Sequence, residues 1–357
     1  MSFLLPAPPP ATKLGRYRQL APRAAIHVSP LALGAMSIGD QWAKFGMGAM
    51  DKESSFKLLD AYFDAGGNHI DTANQLDGSS EEFIGEWVEA LYEPLQKPQR
   101  QQVKQKNLYM GNNTKSLKLS IEESLRRLKT TYIDILYVHY WDLHTSVEEI
   151  MDSLHNLVIA GKVLYLGISD SPAWFVVKAN EYAKANGKTP FVVYQAAYSV
   201  TQRDIEREIL PMCRHEGIAL TLWNVLASGR IRTDAEEEQR RSTGENGRTF
   251  WNLGSVVAKQ VGAKHITAVA IAYTMHKAPF VYPIVGGRKV EHLMANIEAL
   301  DITLTAEQIA YIEGILPFDK GFPSSLLGEY GGPYPFLMSS YATYDRQPLL
   351  PPVAASN

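Results

Sequence analysis

Asp71 closes the run Gly-Asn-His-Ile-Asp-Thr-Ala over residues 67–73, and His139 closes Ile-Leu-Tyr-Val-His-Tyr-Trp over 135–141. A carboxyl and an imidazole at the ends of apolar runs are groups that hold and pass protons. Each also has an ordinary reading, a helix cap for the aspartate and a buried, hydrogen-bonded ring for the histidine. Two more apolar runs carry polar groups at the same relative position: one ends Gly167-Ile-Ser-Asp170, and the other contains Gln195. Four such groups on four runs describe one polar ring rather than four coincidences.

A different chemistry is written at Pro283-Ile-Val-Gly-Gly-Arg-Lys-Val-Glu-His-Leu-Met-Ala-Asn296. An apolar run stops at paired glycines and a helical pattern begins with Arg288 and Lys289. Free backbone N–H groups, the positive end of the helix dipole and two cations therefore meet where a phosphate can sit. A Gly-x-Gly-x-x-Gly dinucleotide fingerprint is absent, since Gly46-Met-Gly48 lacks the third glycine and the strand before it. His139, Asp142 and His144 have no spacing that brings ligands together, so no metal is expected. Without a Gly-x-Ser-x-Gly elbow, nucleophilic hydrolysis has no support either.

The elements that must position these groups follow from periodicity. Short runs rich in Val, Ile, Leu and Tyr, at Leu31–Ile38, His69–Ala73, Ile133–Trp141, Val163–Ser169, Val192–Tyr198, Ile218–Leu226 and Val281–Val285, alternate with helical stretches at Lys52–Ala65, Ser80–Ala90, Ser116–Leu128, Ser146–Ala160, Pro172–Ala185, Asp204–His215, Asn252–Val261, Thr267–His276 and Lys289–Leu300. Strand–helix alternation predicts a parallel sheet covered by helices. Eight such units close a barrel, and the eighth strand falls between residues 91 and 113. The polar, proline-bearing stretch 93–107 reads as a loop there, so the barrel is expected to be irregular or incomplete at its third strand. The charged insertion Thr233–Arg248 reads as a solvated lid.

The chain has 357 residues, 45% of them hydrophobic, enough for one large α/β domain. Thirty-five Lys and Arg against 38 Asp and Glu give a net charge of −3, which argues against nucleic acid or anionic lipid as partner and leaves a small molecule. The lone Cys213 forms no internal disulfide, and no uninterrupted apolar stretch is long enough to span a membrane, so a cytoplasmic setting is expected. The expected division is an N-terminal extension over 1–27, the barrel over 28–316 and a tail over 317–357 lying on the barrel mouth, with the aromatic cluster Tyr330–Phe336 read first as packing of that tail and second as a cap over a pocket for a planar aromatic ligand. Oligomeric state is not legible.

In order, NHIDTAN, LYVHYWD, GKVLYLGISDSPAW, YQAAYS and IVGGRKVEHLMANIEAL followed by LTAEQIAYIE resemble the aldo-keto reductases, in particular the fungal aryl-alcohol dehydrogenase and norsolorinic acid reductase branch. The resemblance runs from about residue 28 to 325. It implies a (β/α)₈ barrel, an oxidoreductase interconverting an aromatic or polyketide-derived carbonyl and its alcohol in fungal secondary metabolism, and NADPH or NADP+ as cofactor. By position, Ser169, Asp170 and Gln195 would hold the nicotinamide carboxamide beside Asp71, and Trp223 would stack on the ring. Asn224, Leu226, Gly229 and Arg230 would follow the pyrophosphate, Gly287, Arg288 and Lys289 would meet the 2′-phosphate, and Asn296 the adenine. Of the family's catalytic Asp, Tyr, Lys and His, Asp71 and His139 match, with His139 touching substrate. The tyrosine's position holds Leu76, and the lysine's strand falls in the shortened segment 91–113. The alternatives are a misplaced splice junction in the gene and an NADPH-binding barrel without turnover, and Tyr62, Tyr109 and Tyr198 are the substitute proton donors to consider.

Overall fold

Seven of the apolar runs pair as parallel strands. The computed structural model describes residues 9–39, 49–74, 78–92, 111–231, 255–328, 332–345 and 348–353. Its strands are β1 (Arg18–Ala21), β2 (Ala24–Val28), β3 (Ala32–Gly34), β4 (Ile70–Asp71), β5 (Ile133–Val138), β6 (Val163–Ser169), β7 (Phe191–Ala197), β8 (Ala219–Trp223) and β9 (Val281–Val285). The sheet order is β4-β3-β9-β8-β7-β6-β5, every pairing within it parallel. Helices α1 (Lys52–Asp64), α2 (Ser79–Tyr92), α3 (Thr114–Leu128), α4 (Val147–Ile159), α5 (Ala173–Ala185) and α6 (Ile209–Glu216) alternate with the strands, followed by helices Ser255–Val261, Ile266–Met275, Val290–Ile297 and Ala306–Ile315.

The helices start where the side chains say they must. Asp51, Asn113 and Ser146 each accept a hydrogen bond from the backbone N–H three residues on, satisfying a donor that the first turn leaves open. In α4 the apolar residues Val147, Ile150, Met151 and Leu154 fall three and four apart and are buried against the sheet. Gly217, at φ 68°, ends α6 in the left-handed conformation that a side chain resists.

The sheet is curled, and two side-chain contacts measure the curl. β4 and β7 are four places apart, about 19 Å in a flat sheet, yet the Gln195 amide donates to an Asp71 carboxylate oxygen at 3.0 Å. β5 and β8 are three places apart, and the Tyr137 hydroxyl meets Thr221 Oγ1 at 3.2 Å. Only a barrel-like closure brings these residues together. Among the described residues no strand lies between the two edges, β4 and β5. α2 ends at Tyr92 and α3 starts at Thr114, while the expected third-strand segment 93–110 and the insertion 233–248 lie outside the described residues.

The N-terminal extension is structured where the sequence suggested none. β1 and β2 form an antiparallel hairpin whose Leu20, Ala21, Ala24 and Val28 are buried against Val193, Ala219 and Tyr282, with Tyr137 and Tyr165 packed beside them. The Tyr282 hydroxyl donates to the Gln19 carbonyl. The hairpin thus closes the end of the barrel at which the strands begin. Beside it the Tyr62 hydroxyl lies 2.8 Å from Ser29 Oγ, the Leu31 carbonyl and the His69 carbonyl, tying α1 to the starts of β3 and β4. Gly67 is required there, because a Cβ would fall 2.3 Å from the Tyr62 ring.

The tail divides. Phe318 lies over the Arg207 and Arg203 guanidinium groups, 4.4 and 5.4 Å from its ring centre. Leu349 and Leu350 line a cavity with Pro22, Gly217, Ile218 and Phe280, at the strand-start end beside the hairpin rather than at the mouth. Of the aromatic cluster, Tyr334 packs on Tyr344 at 5.1 Å, Phe336 is exposed, and Tyr330 lies outside the described residues.

Asp142 fastens the loop after β5. Its carboxylate accepts from the backbone N–H groups of Asn112, His144 and Thr145 and from the Thr145 hydroxyl, while Asn112 Oδ1 accepts from the Asp142 N–H. Burial raises the pKa of this carboxyl, but the donors from Thr145, Asn112 and His144 outweigh it and hold the group at about 2. A depressed carboxyl pKa contributes stability that is present above its unfolded value and is lost as pH falls through the folded one. Asp142→Asn is expected to cost on the order of 2 kcal/mol at neutral pH. The gap between the wild-type and variant melting temperatures should narrow as pH is lowered from 5 toward 2, which thermal melts followed by circular dichroism will measure.

Candidate active site

Parallel pairing delivers the ends of all the strands to one rim. Val138 pairs with Ile168, so His139 and Ser169 leave the sheet side by side; Ser169 pairs with Gln195, Ala197 with Trp223, and Gly34 with Asp71. The expected ring of Asp71, His139, Ser169, Asp170 and Gln195 is therefore assembled, at the C-terminal end of the strands where βα loops build sites.

In the ring Asp71 is half-buried and Asp170 stands exposed. Burial raises the Asp71 pKa, against the Gln195 hydrogen bond and the nearby His139, which both lower it. Asp170 is raised by burial as well, with His139 the strongest opposing influence. His139, exposed at the rim, faces both carboxyls. Asp170 stands in the left-handed region at φ 40°, a conformation that costs a residue with a Cβ about 1 kcal/mol.

The lumen below holds a residue that pattern reading passed over. The Tyr137 ring lies across β6, where a Cβ on Gly167 would fall 2.6 Å from it, and its hydroxyl reaches Thr221 on the far wall. Burial raises the Tyr137 pKa, and the charge of Asp71 raises it further. Tyr137 is therefore the phenol next to Asp71 among the described residues. The signal was available: in Tyr137-Val-His139 the tyrosine shares the inward face of β5 with His139, two residues apart.

Of the suggested substitutes, Tyr62 is committed to the floor and Tyr198 donates to Glu206 at 2.7 Å. Tyr109 and Leu76 lie outside the described residues. Lys115 stands exposed in the first turn of α3.

The groups suited to a phosphorylated coenzyme gather on the same rim. Ser169 Oγ is buried without a close hydrogen-bond partner, and with the Trp223 side chain it lowers the pKa of the neighbouring Asp170 carboxyl. Next to β7, Trp223 at the end of β8 is 39% exposed, a large flat surface offered to solvent. Asn224, Ala227, Ser228 and Gly229 all have positive φ, at 60°, 49°, 56° and 73°, an unusual density of left-handed backbone. Leu226 lies within this turn and exposed Arg230 follows it. Gly287, Arg288 and Lys289 follow β9, with Lys289 the N-cap of helix Val290–Ile297 and both cations exposed. Asn296 is buried within that helix at 4% exposure. Residues present fit a dinucleotide with an added phosphate.

Two outcomes test this geometry. A carboxyl whose folded pKa is raised contributes stability below its unfolded value and loses it as pH climbs through the folded one. Asp71→Asn should therefore melt above the wild type at pH 8, with the difference closing by pH 4. Gly167→Ala should cost about 1–3 kcal/mol by overpacking against Tyr137, most of it recovered in Gly167→Ala/Tyr137→Leu; urea titration reads both.

Comparison with known proteins agrees with the geometry. The model of the Aldo/keto reductase family matches residues 30–317. The chain is 54% identical to an aryl-alcohol dehydrogenase [NADP(+)] of Phanerodontia chrysosporium, with 98% of each chain covered. That alignment spans 377 positions, more than the 357 residues here, so the relative has residues without a counterpart in this chain. It is 48% identical to a norsolorinic acid reductase of Aspergillus flavus, covering 90% of this chain and 87% of that one, and 47% to the aldo-keto reductase ausK of Aspergillus calidoustus at the same coverage. A strand-end ring on a curled parallel sheet, a family match over most of the length and relatives near one-half identity lead to one conclusion: the chain belongs to the aldo/keto reductase family.

Proposed function

We propose that this protein is an NADPH-dependent oxidoreductase that interconverts an aromatic or polyketide-derived aldehyde or ketone and its alcohol. The observation that carries the reading is the Gln195–Asp71 hydrogen bond across the lumen, which gathers a histidine, two carboxyls and an exposed indole at one mouth. The names of relatives at 47–54% identity, among them an NADP-dependent aryl-alcohol dehydrogenase and norsolorinic acid reductases, support the cofactor and the substrate class.

The chain's own residues divide the work. Ser169, Asp170 and Gln195 hold the carboxamide end of the coenzyme, and Trp223 lies flat on its ring. The turn Asn224–Arg230 follows the diphosphate, and the paired cations Arg288 and Lys289 favour a 2′-phosphate over a bare ribose. Asn296 serves the adenine. When bound, NADPH supplies the hydride. His139 orients the carbonyl oxygen. Proton transfer to that oxygen is assigned to Asp71, whose carboxyl stands half-buried at the mouth with a pKa that burial raises. The tail crosses the segment after β7, where Phe318 sits on Arg203 and Arg207. No described helix is long and apolar enough to cross a membrane; a cytoplasmic setting fits the reduced coenzyme and the single cysteine.

Mixing the purified protein with NADPH and a panel of aryl aldehydes, aryl ketones and quinones should consume NADPH absorbance, with NADH a much poorer substitute. Asp71→Asn should lower kcat about 100-fold or more while coenzyme binding persists. NADPH binding by fluorescence with no consumption against any carbonyl would replace the enzyme by a coenzyme-binding barrel.

A further inference from the structure

Ser171 is the meeting point of the two loops that carry the candidate active-site groups of β5 and β6. Its backbone N–H donates to the Tyr194 hydroxyl oxygen at 2.9 Å, and that hydroxyl donates to the Ser171 carbonyl at 2.6 Å. Its own hydroxyl donates to the Ser169 carbonyl at 2.9 Å and accepts the Trp141 N–H at 2.9 Å. Ser171 and Tyr194 are both buried, Tyr194 completely. Trp141 is fixed in turn, its ring stacked on Phe175 at 4.3 Å and its indole N–H donating to the Thr145 carbonyl.

The arrangement answers a steric problem. Between the end of β6 at Ser169 and the start of α5 the chain has three residues, the last of them Pro172. Proline keeps the residue before it out of the helical region, so the turn is made at Asp170, at φ 40°. A non-glycine residue keeps such a backbone only where its surroundings over-determine it. Two contacts do so here: the Asp170 N–H donates to the Gln195 carbonyl at 3.3 Å, and the Tyr194 phenol grips the next peptide from both sides.

We propose that Tyr194 and Ser171 are positioning residues for the nicotinamide end of the coenzyme, holding Ser169 and Asp170 against the His139–Trp141 loop in the arrangement that binds it. The inference rests on the coenzyme reading above and deepens it. Without the phenol hydroxyl, the left-handed turn at Asp170 loses its outer grip and relaxes. Apparent affinity then falls by the fraction of molecules still in the binding arrangement.

The test compares Tyr194→Phe, Ser171→Ala, Ser171→Thr and the Tyr194→Phe/Ser171→Ala double variant with the wild type, as full-length proteins. Near-UV circular dichroism without coenzyme reads the packing of Trp141. Fluorescence titration gives Kd for NADPH, and steady-state rates separate KM for NADPH from kcat. Tyr194→Phe and Ser171→Ala are each expected to change the near-UV tryptophan bands and to raise Kd and KM about ten-fold with kcat within about two-fold. Ser171→Thr, which keeps the hydroxyl, should stay close to wild type, and the double variant should fall short of the product of the single effects because both act on one hub. Should Tyr194→Phe not fold, Ser171→Ala, which spares the phenol, carries the same comparison. Unchanged tryptophan bands and an unchanged Kd in the variants, while the wild type binds NADPH, would overturn this inference alone. A wild type that binds no NADPH overturns the coenzyme reading and this inference together.

Discussion

The curl of the parallel sheet is the constraint on which everything else depends. Flat, these strands would hold Asp71 and Gln195 apart by about four strand spacings; curled, they share a hydrogen bond of 3.0 Å. The curl is sustained from below. Leu20, Ala21, Ala24 and Val28 of the hairpin fill the end where strands begin, and Tyr62 clamps α1 to the starts of β3 and β4 through one hydroxyl with several partners. Among the described residues Tyr137, Tyr165 and Tyr282 pack into the floor, and the polar ring stands at the opposite rim.

That arrangement carries its own pattern of charge. At the rim Asp71 is half-buried and Asp170 exposed, and partial desolvation pushes the pKa of both upward. Asp142, only a few residues from His139, shows the reverse, because four donors converge on it. The pKa of two aspartates is thus raised and that of a third lowered, and the difference lies in how far each is buried and how many donors it meets. Left-handed backbone is concentrated at the same rim, at Asp170, Asn224, Ala227 and Ser228. Such conformations subtract from stability wherever they occur, and this barrel concentrates them where its strands end.

Much of this was legible in the sequence. β6 and β9 match the expected Val163–Ser169 and Val281–Val285 residue for residue, because each is an unbroken buried run bounded by a loop. Leu31–Ile38 shrinks to Ala32–Gly34 since the chain turns at Ala35, where the Ile38 N–H donates back to the Ala35 carbonyl. The hairpin escaped notice because its strands are four and five residues long and sit among prolines and charges that suggest a loop; only the apolar Leu20-Ala21 and Ala24 around Pro22-Arg23 hint at it. The Asp71–His139–Gln195 ring could be read from strand ends, since parallel pairing fixes which ends gather. Tyr137 could be placed on the inward face of β5 by its spacing from His139, but its contact with Gly167 could not, because the register between neighbouring strands is supplied only by the folded sheet. The Tyr194–Ser171 clasp is invisible for the same reason: two residues 23 apart meet through a phenol on one side and a peptide on the other.

The hairpin, the turn at Lys13–Gly15 packed on Gly66, and Leu349 and Leu350 beside Pro22 all occupy the barrel's blind end. Both ends of the described chain therefore emerge on the side away from the chemistry. A fluorescent reporter or surface tether attached at the hairpin turn, Pro22-Arg23, would leave the opening clear, so forms immobilised there should keep the same access for small molecules as the free protein.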